Sequence, residues 1–288
     1  MDGILVIDKP SDWTSHDVVG KLRKLLKTKR IGHTGTLDPF ATGVLVILIG
    51  QATRLAQFLD KDEKEYEATI QFGFETDTGD LTGKKIDNAT LGRSDKVSVE
   101  EIEAVLPQFR GEISQVPPMY SAKKIDGKKL YELARQGVEI ERKPVNVTIT
   151  KLEISDSKFQ IPNSNQIKIR VACSAGTYIR TLAEDIGRKI GVPCHLSALR
   201  RVRAGKFSIE QAVLLENVEN AQFISMNDAL SHLKEVCLNE DDAKKVRNGM
   251  KLSTELSDKF VRLTDSEKNL VAVGLASEKS IRPKVVFV

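Results

Sequence analysis

From Lys64 the chain takes up a period of two. Tyr66, Ala68, Ile70, Phe72 and Phe74 alternate with other residues, which sets them on one side of a half-buried strand. The alternation returns in Val145 to Ile154 and Ile167 to Cys173, and strands with one polar face assemble into antiparallel sheets. Helical periods are interleaved with them. Thr14 and Asp17 make a capping box ahead of Val18, Leu22, Leu25 and Leu26 on one face, and Ile179, Leu182, Ile186 and Ile190 form a stripe closed by Gly191. Ser98 and Glu101 open a helix that runs toward Pro107, and Lys129 to Gln136 forms one that ends at Gly137. Further helices are expected over Gln51 to Asp60, Gln211 to Leu215 and Met226 to Leu233, with short strands in the stretch up to Ile209. Ile4 to Ile7 and Val44 to Ile49 are apolar strands, Pro117 to Lys124 an exposed loop, and Thr76 to Lys96 a long polar loop or hairpin. The class is therefore α+β, with a mixed, largely antiparallel sheet. Near Val236 the composition shifts to a helix over Asn239 to Asn248 and several short strands, giving domains at 1–232 and 233–288.

The 40% hydrophobic content is ample for a packed core, while the run Val44 to Ile49 is far too short to span a bilayer. No membrane association is expected. Met1-Asp2-Gly3 lacks the basic start of a secretory signal, and Cys173, Cys194 and Cys237 show no CxxC spacing, which fits a cytoplasmic protein without disulfides. His16, His33, His195 and His232 lack metal-ligand spacing, so no metal is expected.

Residues 32 to 43, Gly-His-Thr-Gly-Thr-Leu-Asp-Pro-Phe-Ala-Thr-Gly, form a loop rich in glycine with a single carboxylate, Asp38, held before Pro39. It matches neither a P-loop nor a dinucleotide fingerprint. An aspartate there either hydrogen-bonds its own turn or serves as a nucleophile. The second role needs an arginine to keep it ionised and aimed, and Arg180, in the first turn of its helix and off the apolar stripe, is the best partner in the chain. Arg180 could equally make a surface ion pair. Tyr66 and Tyr178 are either core aromatics or a stacking face and proton-transfer hydroxyl for a flipped base. His33 either stacks on RNA or is an exposed loop residue. Two basic runs contain no acid, Lys21 to Arg30 and Arg188 to Lys206. Either alone could be a solvated face; together, one abutting the glycine loop, they favour a polyanionic ligand.

The loop Gly32 to Pro39, with Gly3 to Pro10 upstream, resembles that of the bacterial tRNA pseudouridine-55 synthases, the TruB family. Lys64-Glu65-Tyr66, Thr76-Asp77-Thr78-Gly79-Asp80, Val116 to Ser121, Leu130 to Arg135, Gly176-Thr177-Tyr178-Ile179-Arg180 and Leu199-Arg200-Arg201 follow in the family's order, over roughly residues 1 to 215. The resemblance implies a pseudouridine synthase catalytic domain and a small C-terminal β-rich domain of PUA type that binds RNA. It implies Asp38 as nucleophile, Tyr66 as stacking residue and proposed general base, and Arg180 as partner of Asp38. Tyr178, Leu199, His33, Asp80 and Lys9 follow as substrate-binding residues. No cofactor is implied, since an isomerisation consumes no co-reactant. The expected partner is the T stem-loop of tRNA, bound by a monomer with no obligatory protein partner. Two rivals stand beside this reading: an RNA-binding module without catalysis, and a nucleosidase that uses Asp38 and releases free uracil.

Overall fold

The computed structural model describes residues 1–86, 97–121, 123–125, 127–138, 140–155, 165–256 and 259–287. Its larger sheet has nine strands, in the order Gly3–Lys9, Thr42–Ile49, Cys194–Ala204, Lys64–Phe72, Gln166–Cys173, Val145–Ile154 and Gly111–Gln115, with Ile31–Thr34 and Phe207–Ser208 attached at its margins. Every pairing in it is antiparallel except one. Thr42–Ile49 runs parallel to Cys194–Ala204 through Arg200 opposite Thr42 and Arg201 opposite Gly43. Farther along, from Val46 to Ile49, Thr42–Ile49 pairs instead with Ile31–Thr34. The glycine loop leaves the sheet where one neighbour gives way to the other.

The unbroken apolar run has a simple cause: Thr42–Ile49 is covered on both faces. Val44, Val46 and Leu48 pack into one cluster, and Leu45, Ile47 and Ile49 into another with Val18, Val19 and Leu22 of the helix Ser15–Leu25. That helix carries the expected capping box between Thr14 and Asp17. The strand Lys64–Phe72 buries Tyr66, Ala68, Ile70 and Phe72 against Ile179, Leu182, Ala183 and Ile186 of the helix Ile179–Ile190, which ends on left-handed Gly191. Phe74 does not share this face. The strand stops before Gly73, whose φ is 118°, and the Phe74 ring packs on His195 with centroids 4.4 Å apart.

Several expected elements take another form. Gln51 to Asp60 is a 3₁₀ segment, Gly50–Leu55, followed by one α-turn, Ala56–Leu59. The stretch expected as short strands up to Ile209 is mainly one long strand, Cys194–Ala204. Gln211 to Leu215 is not one helix: Gln211 ends the 3₁₀ turn Ile209–Gln211 and Leu215 opens another, Leu215–Asn220, and between them Val213 pairs with the first strand, its N–H donating to Val6 and its carbonyl accepting from Asp8. Helix Met226–Ala229 is a single turn. Part of the polar stretch up to Lys96, residues 87–96, lies outside the described residues; what precedes it is a short ribbon of Glu75–Thr76 with Lys85–Ile86.

A second, five-stranded sheet runs Lys234–Cys237, Lys259–Thr264, Leu270–Ser277, Ser280–Val286 and Leu252–Ser253, with helix Glu240–Arg247 packed on it. Its Leu270, Val273, Val285 and Phe287 join Ile4, Val6, Val46 and Leu48 in one apolar cluster. The two sheets share a core.

Candidate active site

The glycine loop is fixed from below. Arg201, 1% exposed, donates from Nη2 to the Gly35 carbonyl and from Nε to that of Val44, both at 2.7 Å. Ser15 accepts the Leu37 N–H through its hydroxyl at 2.9 Å and donates to the Leu37 carbonyl at 3.2 Å. The Gly35 N–H donates to Asp60 Oδ1 at 3.0 Å. Gly43 has φ 98°, and a Cβ there would lie 2.2 Å from the Arg201 carbonyl oxygen, so only glycine lets the parallel strand approach. The Asp38 backbone is thereby held on both sides.

The Asp38 carboxylate meets Arg180 in a two-pronged pair: Nε to Oδ2 at 3.0 Å and Nη2 to Oδ1 at 3.2 Å. The remaining guanidinium donors go to the Thr78 carbonyl at 2.8 Å, the Tyr120 carbonyl at 2.6 Å and Asp80 Oδ2 at 3.4 Å. Asp80 is buried, and its other oxygen accepts from the Thr78 and Thr82 hydroxyls and the Thr82 N–H. Such a fork fixes direction as well as charge. Burial pushes the Asp38 carboxyl above its ordinary value and Asp80 adds to the rise, while Arg180 and, more weakly, Lys9 draw it back.

Above this pair opens a cleft of about 360 Å³, lined among others by Asp38, Tyr66, Tyr178, Arg180, Leu199 and Arg201. Tyr66 and Arg201 are directly opposite each other on adjacent strands, as are Ala68 and Leu199, so their side chains share the face that looks into the cleft. Burial raises the Tyr66 phenol and the Arg201 charge opposes it; burial raises Tyr178 as well. Both are neutral phenols at neutral pH. Tyr178 sits just before its helix, clamped by buried Gln115, which accepts the Tyr178 N–H at 3.1 Å and donates to its carbonyl at 3.3 Å.

Five of the residues named from sequence, Asp38, Tyr66, Tyr178, Arg180 and Leu199, therefore line one cleft, with Asp80 behind Arg180. Arg180 is buried rather than pointing out of the core, because its helix starts beneath the loop carrying Asp38. Lys9 is not on the cleft. It is fully buried, and its ammonium donates to the carbonyls of Pro10, Trp13 and Pro39 at 2.6 to 3.0 Å, an internal tie beneath the loop. His33 is half-buried rather than exposed and lies in an adjoining cavity. Most of the second basic run is engaged by the protein's own groups: Arg188, though exposed, pairs with Glu184 and Asp185, Arg200 with Asp8, Arg203 with Glu63 and Glu65, and Arg201 holds the loop, while Lys189 lies toward solvent. Lys21, Lys24, Lys27, Lys29 and Arg30 of the first run lie toward solvent.

Three residues of the site escaped the sequence reading. Lys64 is buried at the cleft wall and donates to the carbonyls of Asp60 and Asp62; Gln115 and Arg201 fix Tyr178 and the loop. Lys64 and Arg201 belong to the Lys64-Glu65-Tyr66 and Leu199-Arg200-Arg201 motifs, but their partners are backbone carbonyls, which leave no mark in a sequence. Among the described residues, no group of three or more His, Cys, Asp and Glu side chains is placed to hold a metal ion.

Residues 23–179 match the model of the TruB family pseudouridylate synthase N-terminal domain, and residues 180–243 that of the tRNA pseudouridylate synthase B C-terminal domain. The tRNA pseudouridine synthase B of Bacillus cytotoxicus is 43% identical over 98% of this chain and 94% of its own length; that of Caldanaerobacter subterraneus is 40% identical over 100% and 99%. A solved Cbf5-Nop10-Gar1 complex contains a chain of similar fold, with TM-score 0.73 and 26% identity over 99% of this chain and 83% of that one. The expected resemblance, enzyme class and fold class agree with these matches, and the chain belongs to the TruB family of pseudouridylate synthases.

Proposed function

We propose that this chain isomerises uridine to pseudouridine at position 55, in the T loop of tRNA, by flipping the base into the cleft and attacking the flipped nucleotide with the Asp38 carboxylate. The observation that carries the reading is the two-pronged Asp38–Arg180 pair facing a cleft walled by Tyr66, Tyr178 and Leu199. The reaction breaks the bond from N1 to C1′ and joins C5 to C1′. The C5 proton leaves and N1 gains one, so the product has the composition of the substrate and nothing else is consumed. Asp38 supplies the electron pair for attack at uracil C6 or ribose C1′, and Arg180 keeps it ionised and aimed. Tyr66 stacks on the uracil, with its hydroxyl the group at hand for the C5 proton; Tyr178 and Leu199 hold the base, and the unstacking, a few kcal/mol, is offset by backbone contacts. Asp80 supports Arg180. The enzyme works without cofactor or protein partner, as a cytoplasmic monomer, and the residues from 233 onward add RNA contacts.

The test is turnover of unmodified tRNA labelled with tritium at uridine C5, with the modified position mapped afterwards. The wild-type chain releases tritium and leaves pseudouridine at position 55. Asp38→Asn releases none and still binds tRNA. Substantial turnover by Asp38→Asn sinks the nucleophile assignment, and free uracil among the products points to a nucleosidase.

A further inference from the structure

The cleft holds one polar group that the proposed reaction leaves unused. Ser121 lines it together with Tyr178 and Arg180, is only 5% exposed, and its hydroxyl has no hydrogen-bond partner among the described residues. We propose that this hydroxyl donates to one carbonyl of the flipped uracil and, once the ring has turned over, to the other, so that one side chain holds the base as substrate and as product. The inference rests on the reading of the cleft as a uridine site.

Ser121 is placed by the same guanidinium that aims the nucleophile. Arg180 Nη2 donates to Asp38 Oδ1 at 3.2 Å and to the carbonyl of Tyr120, the residue before Ser121, at 2.6 Å. The Ser121 N–H in turn donates to the Met119 carbonyl at 3.0 Å, which closes the backbone into a tight turn. The hydroxyl is therefore held at a set distance from the attacking carboxylate. Tyr178 is its neighbour: burial raises that phenol and the Ser121 hydroxyl draws it back, although the two do not meet hydrogen-bond geometry. Buried hydroxyls almost always have a partner, because leaving one unmade is costly. On the wall of a cleft that admits a base, the base supplies the acceptor.

The reaction itself says why a hydroxyl suits this place. Exchanging the N1–C1′ bond for a C5–C1′ bond requires the uracil to turn over about the axis through N3 and C6. That turn exchanges N1 with C5 and C2 with C4, so each carbonyl arrives where the other stood. A hydroxyl swings its proton to whichever oxygen is present. Ser121 makes and breaks no covalent bond and transfers no proton; it donates one hydrogen bond in each orientation. A carboxylate in its place would repel both carbonyls.

The experiment uses T stem-loop RNAs tritiated at C5 of the target, which is uridine, 2-thiouridine or 4-thiouridine, because a thiocarbonyl is the weaker hydrogen-bond acceptor. Single-turnover tritium release is measured with the full-length wild-type and Ser121→Ala proteins, and both are titrated with the pseudouridine product RNA. Ser121→Ala should lower the rate on the uridine RNA and the affinity for product about three- to tenfold each, the loss of one neutral hydrogen bond. Each thio substitution should slow the wild-type chain by a similar factor and slow Ser121→Ala much less, which is the coupling of a direct contact. A residue that only supports the fold would lower every rate alike. Thio penalties that survive Ser121→Ala at either position, or unchanged affinity for product, overturn the proposal. The failures are distinguishable: no tritium release from the wild-type chain refutes the uridine site, whereas normal release with uncoupled thio penalties refutes only the Ser121 contact.

Discussion

Arg180 spends its donors on two carboxylates and two carbonyls, so it is at once the counter-ion of Asp38 and a strut between three loops. Its charge sets the pH dependence. On the proposed mechanism the Asp38 carboxylate works only when ionised, so kcat/KM should fall as pH drops through the Asp38 pKa. Because burial lifts that pKa, the acid limb has its midpoint above 3.8. Arg180 is what restrains the rise, and Arg180→Met should move the limb toward neutrality as well as lowering the plateau; a pH–rate profile of the two proteins checks both. Tyr66→Phe keeps the ring and removes the hydroxyl. If that hydroxyl handles the C5 proton, RNA affinity stays near wild type while kcat drops about 10²- to 10⁴-fold, measured as single-turnover tritium release. The loop glycines, the lone acid and the tyrosines were legible because each is unusual where it stands. Arg201 was not, since one arginine inside a basic run looks like a phosphate contact until its acceptors, the carbonyls of Gly35 and Val44, are brought to it by the sheet.

At the level of elements, the first strand does more than fill the edge of a sheet. Its last residue, Lys9, ties that strand's end to the turn before the helix Ser15–Leu25 and to Pro39, next to Asp38. Lys9→Met would leave three carbonyl oxygens without their donor, and the expected cost is about 3 kcal/mol or more, read from urea unfolding. Burial brings the Lys9 ammonium down to about 8, against 10.5 when the chain is unfolded. Between those values the unfolded state binds more protons, so the Lys9 contribution to stability increases with pH across that window. The wild-type chain should show this slope, and Lys9→Met should lose it. Periodicity located the strands Lys64–Phe72, Val145–Ile154 and Gln166–Cys173 and the long helix Ile179–Ile190. It failed over Gln211 to Leu215, where short apolar spacing looks helical but the backbone is drawn into pairing with Val6 and Asp8.

Over the whole molecule, charge divides by use. Lys21, Lys24, Lys27, Lys29 and Arg30 lie toward solvent beside the loop, whereas Arg200 and Arg203 are bound to Asp8, Glu63 and Glu65. Replacing Lys24, Lys27 and Lys29 with alanine should flatten the dependence of tRNA affinity on salt, by about one unit of log–log slope for each phosphate that is no longer neutralised. Arg203→Ala should leave the slope alone and lower the melting temperature. Titrations at several salt concentrations separate the two classes. The composition shift near Val236 marked the second sheet, but no spacing or motif showed that Leu270, Val273, Val285 and Phe287 complete a cluster with Ile4, Val6, Val46 and Leu48. Removing the chain from 233 onward would therefore expose apolar surface on the catalytic half, and such a deletion should unfold more readily as well as bind RNA less well.

The parallel pairing in the larger sheet, Thr42 and Gly43 beside Arg200 and Arg201, joins stretches far apart in the chain. During synthesis, the strands that flank the Asp38 loop emerge long before the strand that braces it. Until residues 194–204 leave the ribosome, Gly43 has no parallel neighbour and the Gly35 carbonyl no arginine. Interactions between such distant stretches form late and slowly. A nascent chain that ends before residue 194 thus contains Asp38, Tyr66 and Arg180 but lacks the strand that braces their loop, and on the proposed mechanism catalytic competence should arrive with the insertion of that one central strand.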